Sequence, residues 1–232
     1  MRTLLALFVV APVLAGSVDF TAEERARIES HGPWPPPRTP FDDFRDALSR
    51  GDTVTAARYP AAAQRGLEIF VGSGRCFFCR AGPSFTNGEF ADVGRPFFSA
   101  GGVDAGRWGG LQQWLASPYN RLGAFSDAPP DAARAVATKH VVMEPRHYGE
   151  FKVPGLRGLL ATAPSFHDGS AATVEAVVRH YSELDAGRLH ADGARLLQAW
   201  QLSPPQVADL AAFLKTLSAP AKAAKGSPVR AR

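Results

Sequence analysis

Apolar residues recur at helical spacing in several separated stretches of this 232-residue chain, and no stretch alternates with the period of a strand. From Ala61 to Val71 the positions Ala63, Leu67, Phe70 and Val71 follow that spacing, and Gly72 and Gly74 stop the helix just before Cys76. Thr173 is an N-cap for a helix over residues 174–184, in which Val174, Val177, Val178, Tyr181 and Leu184 share one face. Ser203 and Gln206 form a capping-box pattern ahead of Val207, Leu210, Ala211, Leu214 and Leu217, the clearest amphipathic helix in the chain. Thr21 with Glu24 predicts a short helix over residues 22–30 that ends near Gly32, and a further short helix covers residues 41–50. Between residues 80 and 135, Gly, Pro, Ser and Asp break every period. That stretch reads as loop with one short helix near Leu111 to Ala116, a length that is unusual unless the loop wraps something.

The pattern predicts a mainly α protein with few short helices and long loops. A hydrophobic share of 45% can bury a real core, and Gly 22 with Pro 19 agrees with the loop-rich reading. The net charge of +4 is densest from Lys222 to Arg232, without interleaved aromatics, so residues 219–232 read as a disordered basic tail and nucleic acid is not an expected partner. Arg2, the apolar run Leu4 to Leu14 and then Ala15-Gly16-Ser17 have the order of a signal peptide over residues 1–16. Export to the periplasm follows. The run is shorter than the roughly 20 residues of a membrane span, so no stable membrane insertion is expected after cleavage. Residues 17–59 form an N-terminal helical and Pro-rich segment, stiffened by Pro33, Pro35, Pro36, Pro37 and Pro40 around Trp34.

The only cysteines are Cys76 and Cys79, and Cys76-Phe77-Phe78-Cys79-Arg80 departs from the c-type haem attachment pattern C-x-x-C-H at its last position alone. In that pattern two thiols reach both vinyl groups of one haem, and the adjacent imidazole becomes an iron ligand. Arg80 cannot replace it, because a guanidinium stays protonated and has no free lone pair. These five residues alone leave three readings open: haem attachment, a redox-active or structural disulfide, and an inert pair of thiols. Zinc is disfavoured, since there is no second cysteine pair and His140 with His147 falls outside the usual spacing.

Two longer segments narrow the choice. Residues 65–94, RGLEIFVGSGRCFFCRAGPSFTNGEFADVG, resemble the second haem attachment site of MauG and the bacterial di-haem cytochrome c peroxidases. Residues 150–181, EFKVPGLRGLLATAPSFHDGSAATVEAVVRHY, resemble the same family from its FKVP-x-LR segment to the helix that carries the distal iron ligand. The resemblance covers roughly residues 60–218 and implies a cytochrome-c-like haem domain there.

That resemblance implies haem c on Cys76 and Cys79, with Tyr181 at the position of the distal ligand, a methionine in the peroxidases and a tyrosine in MauG. Read from the residues alone, Tyr181 is equally a core aromatic. Thr162 and Pro164 match positions whose carbonyls bind calcium between the two haem domains. His167 matches a family histidine whose ordinary role is to hold a loop. It is also a candidate substitute iron ligand, as are His140, His147 and His180. Arg157 suits either a haem propionate or an ordinary salt bridge. Phe77, Phe78, Phe85, Trp108 and Trp114 are candidates for a haem edge or for the core.

The family's first haem domain, which holds its peroxide-reactive haem, has no counterpart here. The resemblance therefore implies a haem-c oxidoreductase domain for electron transfer, with peroxide-dependent oxidation of a partner. Its expected partners are a redox protein or a second haem subunit. The alternatives are a haem-free binding domain with a Cys76–Cys79 disulfide, and half of a split di-haem enzyme.

Overall fold

The computed structural model describes residues 38–99, 101–127, 129, 131–189, 191 and 197–220. The expected signal peptide, the helix over 22–30 and residues 221–232 of the tail lie outside the described residues.

Seven α-helices form among those residues: α1 (Pro40–Arg50), α2 (Thr53–Ala56), α3 (Ala61–Val71), α4 (Arg107–Ala116), α5 (Ala133–Lys139), α6 (Val174–Ser182) and α7 (Pro204–Lys215). Their starts follow the capping chemistry of the sequence. Thr39 and Asp42 close a capping box on α1, Thr173 accepts from the Ala176 N–H on α6, and Ser203 with Gln206 closes a capping box on α7. Helix α4 begins four residues before the predicted Leu111. Helices α2 and α5 are additions, and neither carries an apolar stripe. The first is one turn long and capped by Asp52, while the second holds through Ala-rich helix propensity.

Four short strands also form, contrary to the strand-free expectation. Strand β1 (Phe90–Asp92) pairs antiparallel with β4 (Glu150–Lys152), Ala91 facing Phe151, and β2 (Phe98–Ser99) pairs with β3 (Gly102–Val103). Segments of two or three residues are too short to show a period of two, so the pattern could not reveal them.

Helices α3 and α7 cross at the centre of the core. Gly66 makes the crossing possible: a Cβ there would lie 2.0 Å from the Asp209 carbonyl oxygen and 2.8 Å from the Phe213 Cβ. Phe213, Leu210 and Leu217 of this region are fully buried. Phe213 packs against Phe70 at 5.1 Å and Phe41 at 5.6 Å between ring centroids, and Phe85 closes on Phe41 at 5.4 Å. These tilted and edge-to-face contacts are favoured by the ring quadrupole.

Residues 40–59 share this core with the rest. Phe44 stacks on Tyr59, whose hydroxyl is 2.6 Å from Thr216 Oγ1 beyond the end of α7. Arg157 forms a two-pronged bond to Asp42, at 2.9 and 2.8 Å, with only 14% and 9% of the two side chains exposed. Burial alone would raise the Asp42 carboxyl, but hydrogen bonds from Arg157 and Thr39 outweigh it and hold the group at about 2.

The pair is therefore a test of the core's outer seam. Asp42→Asn leaves a buried guanidinium uncompensated and should cost about 3 kcal/mol in urea unfolding. Because the folded carboxyl lies below its unfolded value of about 3.9, the contribution is complete above that pH and is lost as pH falls towards about 2. The variant's stability should accordingly vary less than the parent's across that window.

Candidate functional site

The end of α3 sets the cleft's first wall. Gly74, whose Cβ would lie 2.8 Å from the Ile69 carbonyl oxygen, turns the chain tightly, and Arg75 continues the turn in the left-handed region at φ 49°. That conformation costs a non-glycine residue about 1 kcal/mol. It delivers the 3₁₀ turn Cys76–Phe78, then Cys79 and Arg80.

The opposite wall is α6, which presents Val177, Val178 and Tyr181, with Leu210 and Leu214 of α7 beneath. Phe90, Ala91 and Asp92 of β1 and Glu150 of β4 line a side, and Leu197 and Trp200 line the remainder. The cleft holds a cavity volume of about 150 Å³, and its lining is mostly apolar. That is smaller than an ordinary ligand site, so a large planar group enters only if the walls part.

Both thiols are free and half-buried. The Cys76 Sγ lies 3.4 Å from the Gly74 carbonyl oxygen, and burial pushes its thiol up to about 12, with the Arg80 cation pulling weakly the other way. Burial likewise raises the Tyr181 hydroxyl, and the Arg80 cation opposes it. The Tyr181 ring stacks on Trp200 at 5.8 Å and 21°. Arg80 also donates to the Pro154 carbonyl. Cys76, Cys79, Arg80 and Tyr181 therefore meet in one cleft.

The other predicted residues lie elsewhere. Arg157 is engaged by Asp42 and by the Pro83 carbonyl, the salt-bridge alternative of its two readings. His167 stacks face to face on Phe151 at 3.7 Å, and its Nε2 is buried without a hydrogen-bond partner. His147 is buried, its Nδ1 accepting from the Glu144 N–H, while the His180 Nε2 sits 2.7 Å from the Val93 carbonyl oxygen. His140 is exposed at the end of α5. Among the described residues, no histidine lines the cleft. Thr162 and Pro164 are exposed, and no cluster of three His, Cys, Asp or Glu side chains suited to a metal ion occurs among the described residues. Phe78 lines the cleft and stacks on Phe77 at 4.6 Å, both exposed at the lip, whereas Phe85 belongs to the core.

The sequence reading missed Pro154, Trp200, Phe90 and Glu150. Pro154 and Glu150 stood inside the quoted 150–181 segment and Phe90 inside 65–94, so their places there were the available signal. Trp200 depends on a loop, which no periodicity reports. Asp168 was equally unforeseen: it pairs with Arg95 at 3.0 Å and ties the loop before α6 to the segment after β1.

The residues fit the apolar body and the thiol attachment of a haem. They fit its iron on one side only, through the Tyr181 oxygen, because Arg80 offers no lone pair.

Fold and site together define a mainly helical domain built around a large apolar cleft with a C-x-x-C lip. No protein-family model matches the chain. Curated relatives do. Cytochrome-c peroxidase IdrP1 of Denitromonas iodatirespirans is 30% identical over 187 residues, 78% of this chain and 45% of that protein. Methylamine utilization protein MauG of Methylorubrum extorquens is 30% identical over 159 residues, 68% of this chain and 35% of that protein. The chain belongs to the family of MauG and the cytochrome-c peroxidases, and it spans less than half the length of these relatives. Among solved structures, a MauG-like protein associated with microbial copper homeostasis aligns with a TM-score of 0.49 at 24% identity, over 76% of this chain and 48% of that one.

The burial of Cys76 has a direct consequence for reactivity. In the reduced chain carrying no bound group, iodoacetamide at pH 8 should alkylate Cys76 at least ~100-fold more slowly than free cysteine, because only the thiolate reacts. Peptide mass spectrometry over a time course measures this, and equal rates would contradict the buried thiol.

Proposed function

We propose that this domain is a haem-c oxidoreductase of the MauG and cytochrome-c peroxidase type, exported to the periplasm. It passes electrons to or from a redox partner protein and supports peroxide-dependent oxidation of that partner. The observation that carries the reading is the meeting of Cys76, Cys79 and Tyr181 around one mostly apolar cleft.

Cys76 and Cys79 would hold the group by thioether bonds, and Tyr181 would give the iron its protein ligand. Haem would supply reversible one-electron chemistry there. The chain's own contribution is to exclude water with Val177, Val178, Leu210 and Leu214, to brace Tyr181 against Trp200, and to leave the lip at Phe77 and Phe78 open to a partner. If the partner is a second haem subunit, the exposed Thr162 and Pro164 would offer carbonyls to a shared calcium ion.

Arg80 favours a second reading, a haem-free interaction domain closed by a Cys76–Cys79 disulfide. One pair of proteins separates the two. An imidazole bound to a metal ordinarily donates its second ring N–H to a nearby carbonyl. In Arg80→His the Pro154 carbonyl stands ready for that role, since it already accepts from residue 80.

Parent and Arg80→His are therefore expressed for export with haem-c maturation genes and compared by intact mass and pyridine haemochrome spectrum. The proposal expects the added haem mass in both, with a low-spin spectrum only in Arg80→His. Haem in the variant alone would establish a domain that has lost its cofactor, and haem in neither would sink the assignment.

A further inference from the structure

The turn that carries the cysteines also carries an aromatic tip. Phe77 and Phe78 are adjacent residues of the 3₁₀ turn, 41% and 55% exposed, and their rings stack at 4.6 Å. Val71, at the end of α3, and Phe90 of β1 are also exposed, and Phe90 shares the cleft's lining with Phe78. In sequence, Arg75 and Arg80 flank the tip on either side, and both line the cleft beside Phe78. Lys152, the partner of Phe90 in the β1–β4 register, places its ammonium 5.2 Å from the Phe90 ring.

These three cations are engaged by rings and backbone rather than by carboxylates among the described residues. Arg75 lies over the Phe78 ring at 5.2 Å, Arg80 donates to the exposed Pro154 carbonyl, and Lys152 donates to the Gly88 carbonyl. The carboxylates that line the cleft are already occupied: Glu150 is buried and paired with Arg107 at 2.9 Å, and the Asp92 Oδ1 accepts from the Gly94 N–H. Glu89, just before β1, is exposed. Aromatic rings between flanking cations are an arrangement by which a loop seats on an anionic bilayer. The rings enter the acyl boundary, and the long cationic side chains reach the headgroup phosphates. Phenylalanine has no polar group, so leaving water for lipid costs it no hydrogen bond.

We propose that the lip formed by Phe77 and Phe78 is a membrane-seating surface, resting on anionic phospholipid with Arg75, Arg80 and Lys152 against the headgroups. The proposal goes beyond the redox reading and needs neither thioether attachment nor iron. A cleft whose mouth sits on lipid is reached by membrane-anchored partners and by lipid-soluble molecules ahead of freely diffusing proteins. Seating of this kind requires no spanning segment, and no helix among the described residues is long and apolar enough to cross a bilayer.

The test is flotation of the purified full chain with vesicles of phosphatidylglycerol and phosphatidylcholine in equal parts, and with vesicles of phosphatidylcholine alone. The parent should bind the anionic vesicles, release as salt rises, and bind the neutral vesicles poorly. Phe77→Ser/Phe78→Ser should lower binding to anionic vesicles about tenfold, because the ring area no longer enters the acyl boundary. Arg75→Gln and Lys152→Gln should each lower it about fivefold and leave binding to neutral vesicles unchanged. All four positions are exposed, so the urea midpoints should stay at the parent's value. The aromatic pair decides the matter, since the basic residues 222–232 could attract anionic lipid without it. Parent-like binding by Phe77→Ser/Phe78→Ser, or no binding by the parent, would overturn the proposal. Capture of soluble poly-glutamate in preference to vesicles would overturn it too, and would make the lip a docking face for an acidic protein. Haem content, read by haemochrome on the same preparations, varies independently. A haem-free chain that seats through its lip keeps this proposal and loses the assignment above, whereas a haem-loaded chain that ignores vesicles does the reverse.

Discussion

The close approach of α3 and α7 at Gly66 is the constraint on which the rest of the structure depends. With no Cβ at that position the two backbones come within a distance that any other residue would forbid. Phe70 of α3 then meets Phe213 of α7, and the aromatic cluster with Phe41 and Phe85 forms around them. The same crossing fixes the cleft. Helix α3 points its C-terminal turn, with Cys76, at one wall, while α7 supports α6 and supplies Leu210 and Leu214 to the floor. Spreading the crossing by the width of a methyl group would move the cysteines relative to Tyr181.

On that scaffold, the chemistry turns on one long cationic side chain in an apolar place. A histidine at position 80 would carry a lone pair towards the cleft and a single N–H towards Pro154. Arginine supplies donors in both directions. It donates to the Pro154 carbonyl and sets a cation beside Tyr181 in the cleft.

Much of the helical frame was legible because it follows local rules. Helices α1, α3, α6 and α7 each combine a cap or a glycine stop with an apolar stripe, and both signals are visible in one sequence. Within the cleft, Cys76, Cys79 and Tyr181 were legible through motif and resemblance. What stayed hidden depends on contacts between distant segments. The β1–β4 pairing joins residues about sixty apart through three-residue strands, and the Trp200 stack depends on a loop return after α6. Arg157 shows the limit of motif reading: its guanidinium suits any carboxylate, and the one it meets is Asp42.

The chain spans less than half of its relatives' length, and the α3–α7 crossing is covered within the described residues. Helix α1 covers the α3–α7 crossing through Phe41 and Phe44. The seam is held by the Arg157–Asp42 pair, by the Tyr59 and Thr216 hydroxyls, and by the Phe41 N–H donating to the Thr216 carbonyl. Exposed aromatic surface lies at the cleft lip, where Phe77 and Phe78 stack and the Arg75 guanidinium lies 5.2 Å from the Phe78 ring, and also at Phe98 and at the stacked pair Tyr119 and Phe125. A missing half of the fold would leave unsatisfied hydrophobic surface along the helices. Here the apolar surface left to water is not confined to the entrance of the site, since Trp114 and Leu115 of α4 and the stacked Tyr119 and Phe125 stand apart from the cleft lining.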